Sequence, residues 1–216
     1  MAKYLRDLSI YSFDQEDAES LGASTNFLEL LYLDSLPKLE TRGVAKVVLT
    51  PCRHLPGNFL TVLVNPDVLQ FYKVFPFQRY LNADKEKRKR MALKFLHEGL
   101  LEVAKIKGWN SEPLQEAYET VLAKGLINER PWGKAVASAD KKLKAQVWCR
   151  YDSDKAELFI LVSRRGEVVT KAPVTVVKPG DVWINNVVGR LEWVSPNKVK
   201  LTSKSGKESW DAAVED

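Results

Sequence analysis

The sequence predicts an α+β fold: a mainly antiparallel sheet with a two-helix hairpin packed on it, followed by a C-terminal all-β extension or small barrel-like module. Three observations lead there. Runs such as GVAKVVLTPC (43–52) and NFLTVLVNPDVLQFYKVFP (58–76) are β-branched and aromatic, bounded by Gly, Pro and Asn, which is strand composition. Between Asp84 and Gly125 the apolar period becomes that of helices. After residue 142 it returns to the alternation of strands. Strand runs with a segregated helical pair, and no regular βα alternation, are the signature of an α+β domain.

Taken in order, residues 1–26 hold a short apolar start and then DQEDAESLGASTN, acidic and rich in small residues, which reads as a loop. FLELLYLDSLP (27–37) fits a strand or a short helix ended by Pro37. PCRHLPGN (51–58) is a turn, because Pro fixes φ and Gly-Asn relaxes it. From Asp84 to Lys107, Leu93, Leu96, Leu100, Val103 and Ala104 recur at helical spacing. Lys94, Glu98, Glu102 and Lys105 fall on the other side, and Gly108 is a natural stop. The second helix has Ser111 as N-cap, Pro113 in its first turn, Gly125 at its end, and a stripe of Leu114, Ala117, Tyr118, Val121 and Leu122. INERPWGKAVASAD (127–140) reads as a loop or a short irregular helix. KLKAQVWCRYD (142–152) and ELFILVSRRGEVV (157–169), joined by SDKA, form the clearest hairpin. From Pro173 the strands shorten, with turns at Pro-Gly-Asp, Ser-Pro-Asn and Ser-Gly. The expected organisation is therefore an α+β domain over 1–172 and a β module over 173–216.

The totals narrow the function classes. A chain of 216 residues, 45% hydrophobic and 28% charged, has material for a real core. A net charge of +5 comes from 33 basic and 28 acidic residues, a mixed surface rather than a strongly polarised one. Two cysteines, Cys52 and Cys149, are too few for a secreted disulfide scaffold, and both sit in apolar runs where Cys behaves as a small hydrophobe. The N-terminus lacks the apolar core of a signal peptide, and no stretch approaches the roughly 18 apolar residues of a membrane span. A soluble, cytoplasmic protein is expected.

The densest basic stretch is DKEKRKRMALKFLHEG (84–99). Lys85, Lys87, Arg88, Lys89 and Arg90 occupy the first turns of a helix, where cations oppose the dipole by about 0.3–1 kcal/mol. Either this surface is solvated, or it meets an anion: a phosphate or a partner's carboxylates. Phe75, Phe77 and Tyr80 lie just upstream, in a context that favours core packing over base stacking. A second nucleic-acid candidate is the C-terminal module, where Lys198, Lys200, Lys204 and Lys207 lie near Trp183, Trp193 and Trp210. Glu192, Glu208, Asp211, Glu215 and Asp216 nearly cancel that charge.

Catalytic and metal signatures are absent from the text. There is no phosphate-binding Gly loop, no G-x-S-x-G and no H-E-x-x-H. Of the two histidines, His97 lies beside the apolar arc of its helix and is expected to pack there. His54 follows Cys52 by two residues, and a nucleophile–base pair there would also need an orienting third group and an oxyanion hole, which the sequence could supply only by long-range convergence. Cys52, His54 and Cys149 would reach a zinc ion only by long-range convergence. The expectation is a non-catalytic protein with no metal and no cofactor.

The stretch RKRMALKFLHEGLLEVAKIKGWNSEPLQEAYETVLAKG (88–125), followed by the hairpin KAQVWCRYDSDKAELFILV, resembles small bacterial immunity proteins in layout. The shared features are a helix with a basic start and an internal His, a Gly-Trp link, a second helix with an aromatic, then a hairpin. The resemblance implies a protein that binds and neutralises a toxin; for a basic chain it implies a toxin with an acidic surface. Trp, Tyr and Arg are the usual anchors of protein interfaces. The partner-binding residues expected are Lys87, Arg88, Arg90, Trp109, Arg130 and Trp132. Nucleic-acid binding through residues 85–90 and the C-terminal module is the second reading.

Overall fold

The structure is a computed structural model that describes residues 2–12, 15–55, 57–62, 65 and 67–214. It is α+β, and seven of its nine strand pairings are antiparallel. The chain divides into two units, 1–127 and 128–216. The boundary expected at 172/173 falls inside a strand, β10 (Glu167–Val177), which is laddered to its neighbour along its length.

The first unit holds β1 (Ala2–Tyr4), β2 (Asp7–Ile10), α1 (Gln15–Ser35), β3 (Glu40–Gly43), β4 (Lys46–Cys52), β5 (Phe59–Val62), β6 (Val68–Val74), α2 (Phe77–Leu81), α3 (Lys85–Lys107) and α4 (Glu112–Ala123). Its main sheet runs β2-β4-β6-β5; β2, β4 and β6 are parallel, and β5 is antiparallel on the edge. β1 and β3 form a separate two-stranded ribbon. The short apolar start holds β1 and β2, and the run DQEDAESLGASTN expected as a loop is from Gln15 onward the start of α1, a 21-residue helix that also absorbs FLELLYLDS. The small and acidic residues that suggested a loop are compatible with a helix, and tertiary packing decides for it. Phe27, Leu28, Leu31 and Tyr32 are buried, and α1 packs on β2, α3 and α4. α1 also supplies the crossover that lets β2 and β4 run parallel.

The helical hairpin forms as its periodicity predicts. Leu93, Leu96, Leu100, Val103 and Ala104 are all buried, α3 packs on β4 and β6, and Gly108 ends it in the left-handed conformation at φ 67°. The start of α4 differs from expectation: the Ser111 side chain makes no capping bond, and the Glu112 N–H donates instead to Asn110 Oδ1 at 3.0 Å.

The second unit holds β7 (Asn128–Ala137), β8 (Leu143–Tyr151), β9 (Ala156–Arg164), β10, α5 (Asp181–Val187), β11 (Arg190–Ser195), β12 (Lys198–Thr202) and β13 (Ser209–Ala213). The predicted hairpin is β8–β9, with Val147 opposite Ile160 and Cys149 opposite Leu158, all four buried. The loop or short irregular helix expected over 127–140 is, from Asn128 to Ala137, the edge strand β7. An edge strand tolerates Pro131 and Gly133, and the register shifts between Trp132 and Val136. The C-terminal segment is not a closed barrel and not all-β: α5 precedes a three-stranded antiparallel sheet, β11-β12-β13. Val182 to Val187 reads as strand by composition, yet Ile184 and Val187, three residues apart, share the buried side of a helix. β11 lies beside β7 and β8, and β13 beside β10. Trp193 Nε1 donates to the Val136 carbonyl at 3.0 Å, and Thr170 Oγ1 donates to the Ala213 carbonyl at 3.2 Å.

Candidate protein-binding site

The basic stretch at the start of α3 separates into two kinds of residue. Asp84 caps the helix, its carboxylate accepting from the Lys87 N–H at 2.8 Å, so the anion position at this terminus is filled from within. Arg88 donates to three carbonyls: Nε to Tyr80 at 3.1 Å and to Ala83 at 2.9 Å, and its terminal nitrogen to Leu81. The three carbonyls lie at the end of α2 and in the link to α3, and the one of Tyr80 also accepts from the Ala83 N–H at 3.1 Å, so Arg88 holds a helix end rather than a ligand. Lys89 is buried and paired with Glu86 at 2.7 Å. Lys87 and Arg90 are exposed, and neither side chain has a counter-charge among the described residues.

Those two residues lie on the stripe of α3 that also carries Met91, Lys94 and Glu98. Met91, Lys94, Phe95 and Glu98 form one wall of a groove of about 290 Å³, and Lys73, Val74, Phe75, Pro76 and Arg79 form the other. The groove exists because β6 ends at Val74 and the chain turns through Pro76 into α2, while α3 runs back along the sheet. Its floor is aromatic and fixed. Phe75 and Phe95 are buried and meet edge to face at 5.1 Å, and Phe75 also packs on Phe77 at 5.0 Å and Tyr80 at 5.3 Å. Val74 remains 45% exposed.

Charge along the groove is ordered. Lys73 pairs with Glu102 and lies 3.9 Å from Glu98, which also faces Lys94 at 3.6 Å; Asn58 Nδ2 donates to Glu102 at 2.8 Å. Both glutamates are thus engaged. Arg79 is exposed, with no counter-charge among the described residues, like Lys87 and Arg90. The result is an apolar floor with three uncompensated cations on and beside its rim. No protein-family model matches the chain, and neither a curated protein nor a solved structure matches it.

The other candidates lie elsewhere. Trp109, expected as a loop anchor, is buried at 9% exposure where α3 gives way to α4, and is a core residue. Its place in a short link between helices looked like a loop tip, but the helices draw the ring inward. Arg130 and Trp132 are half-buried on β7, and Trp132 Nε1 donates to Asn185 Oδ1 on α5 at 2.9 Å. In the C-terminal sheet Lys198 pairs with Asp211 at 2.7 Å, and Lys200 stands between Glu192 and Asp211 in the ladder. Cys52 Sγ contacts the Thr50 carbonyl at 3.7 Å while His54 is exposed. Burial pushes the Cys149 thiol up to about 12, which keeps it protonated and a poor nucleophile. Among the described residues, no cluster of three His, Cys, Asp or Glu is placed to hold a metal ion. Among the described residues, no helix is long and apolar enough to cross a membrane.

His97 is a core residue, as its position beside the apolar arc suggested. Its Nδ1 lies 2.9 Å from Tyr32 Oη, and its ring stacks on Tyr118 at 4.2 Å. Arg79, Met91, Lys94 and Phe95 are not among the partner-binding residues expected from the sequence. Once α3 is phased, however, the spacing Lys87–Met91–Lys94–Glu98 puts one exposed stripe on it.

Proposed function

We propose that this chain is a non-catalytic protein-binding protein, of the kind that immunity proteins represent: a bacterial cytoplasmic protein that binds a toxin and covers part of its surface. The observation that carries the reading is the groove with an aromatic floor, half-exposed Val74, and Arg79, Lys87 and Arg90 uncompensated around it. Interfaces combine a desolvated aromatic or aliphatic centre with a charged rim that steers the partner. The order in the sequence of a basic helix start, a Gly-Trp link, a second helix and a strand hairpin resembles that of immunity proteins, and the basic rim supports a toxin with an acidic surface.

Nucleic-acid binding has less support. Arg88 and Lys89 are occupied internally, Asp84 fills the helix terminus, and the aromatic rings next to the basic run are buried rather than available for stacking. The deciding experiment is co-expression with each candidate toxin encoded by the neighbouring genes. Restored growth, with a complex of the two purified proteins, is the expected outcome. Candidates that all kill equally well with and without this chain remove the immunity reading.

A further inference from the structure

We infer that the groove between α3 and the end of β6 receives one segment of the partner: an acidic stretch of polypeptide carrying a single large aromatic or aliphatic side chain. The inference rests on the protein-binding reading and assigns its contact. At about 290 Å³ the groove lies at the lower bound of sites that enclose cofactors or drug-sized ligands. It has room for one large side chain of the kind that anchors interfaces. The floor is held before any partner arrives, because Phe75 is wedged among Phe77, Tyr80 and Phe95. Little ordering of that floor is left to oppose binding. An anchor entering it would cover Val74 and Met91, which stand in contact with water.

The rim selects the charge of whatever flanks that anchor. Arg79 stands on one wall, and Lys87 and Arg90 extend the other beyond Lys94. Glu98 and Glu102 are taken up by Lys73 and Lys94, so they offset little of that field. Acidic side chains on both sides of the anchor would meet cations that have no partner of their own. A nucleic-acid strand would find the same cations but no exposed ring to stack on in this groove.

The test is fluorescence anisotropy of the full chain with four labelled probes. They are an acid-rich peptide with a central Trp, the same peptide with Ala for Trp, the same peptide with Lys for every acid, and a single-stranded oligonucleotide. The first peptide is expected to bind, the Ala version about tenfold more weakly, and the Lys version not at all. The double variant Arg79→Glu/Arg90→Glu changes only exposed side chains; it should melt like the parent and weaken the first peptide about tenfold or more. The inference is overturned if the acidic peptide does not bind, if its binding ignores the double variant, or if the oligonucleotide is the tighter ligand and depends on Arg79 and Arg90. The same double variant separates this inference from the reading beneath it. A variant that still protects against the toxin leaves the immunity reading standing and removes the groove from it. A groove that binds the acidic peptide in a chain that protects against no toxin does the reverse.

Discussion

Arg88 and Arg90 sit two residues apart in one basic run and do different work. Arg88 makes three charge-assisted bonds to carbonyls at the end of α2, whereas Arg90 stands in solvent. Arg88→Ala should lower stability by about 2 kcal/mol in a denaturant melt, and Arg90→Ala by less than about 0.5 kcal/mol. Glu29 carries a different kind of strain. It is buried on α1 and accepts from the Ile10 N–H at 2.9 Å and from Thr25 Oγ1 at 3.2 Å, and desolvation raises its carboxyl to about 7. A folded-state value above the unfolded one means that stability is fully present below about 4.5 and is lost as the pH rises through 7, by about 3 kcal/mol in all. Glu29→Gln keeps an acceptor for Ile10 and should flatten that part of the stability–pH curve; an unchanged slope between pH 5 and 7 would refute the assignment. His97 acts with the opposite sign, because burial lowers its value: stability falls as the pH drops below about 6.5.

At the scale of elements, legibility followed the strength of local periodicity. α3 and the β8–β9 hairpin were readable because their buried positions repeat at 3.6 and 2.0 residues. α1 was not readable, since its first half has no apolar stripe in the text and its second half is short enough to pass for a strand. Missing α1 hid the parallel pairing of β2 with β4, and β4 also runs parallel to β6 although the strand between them in sequence, β5, is antiparallel on the edge. β7 was misread because Pro and Gly mark turns only where no neighbour strand overrides them. Lys87 and Arg90, beside the groove, stand out in the sequence as part of a basic run, but the wall formed by Val74, Phe75 and Arg79 is set by how α2 folds back, which no local pattern states. Between α5 and β11, Gly189 passes so close to β12 that a Cβ would lie 2.5 Å from the Thr202 carbonyl oxygen. That neighbour is backbone and cannot swing aside, so Gly189→Ala should cost about 1–3 kcal/mol, read as a lowered melting temperature. A variant as stable as the parent would show that the approach relaxes freely.

The whole molecule consists of two units, each with its own core, and the candidate groove belongs to the first. The second manages its strand edges: β7 is covered beside β11 and β10 beside β13, with Trp193 and Thr170 each donating across the gap. Exposed apolar side chains remain on it at Val176, Val182 and Trp183. The six tryptophans divide unevenly between the units: Trp109 lies in the first, and Trp132, Trp148, Trp183, Trp193 and Trp210 in the second. The enclosure that disqualifies Trp109 as a contact gives it an optical use. In a chain whose other five tryptophans are replaced by Phe, its emission should be blue-shifted and should move to the red only when the first unit unfolds. A tryptophan-free acidic peptide seated in the groove, which Trp109 does not line, should leave that spectrum in place, so a red shift would report the unfolding of the first unit and not the arrival of a ligand.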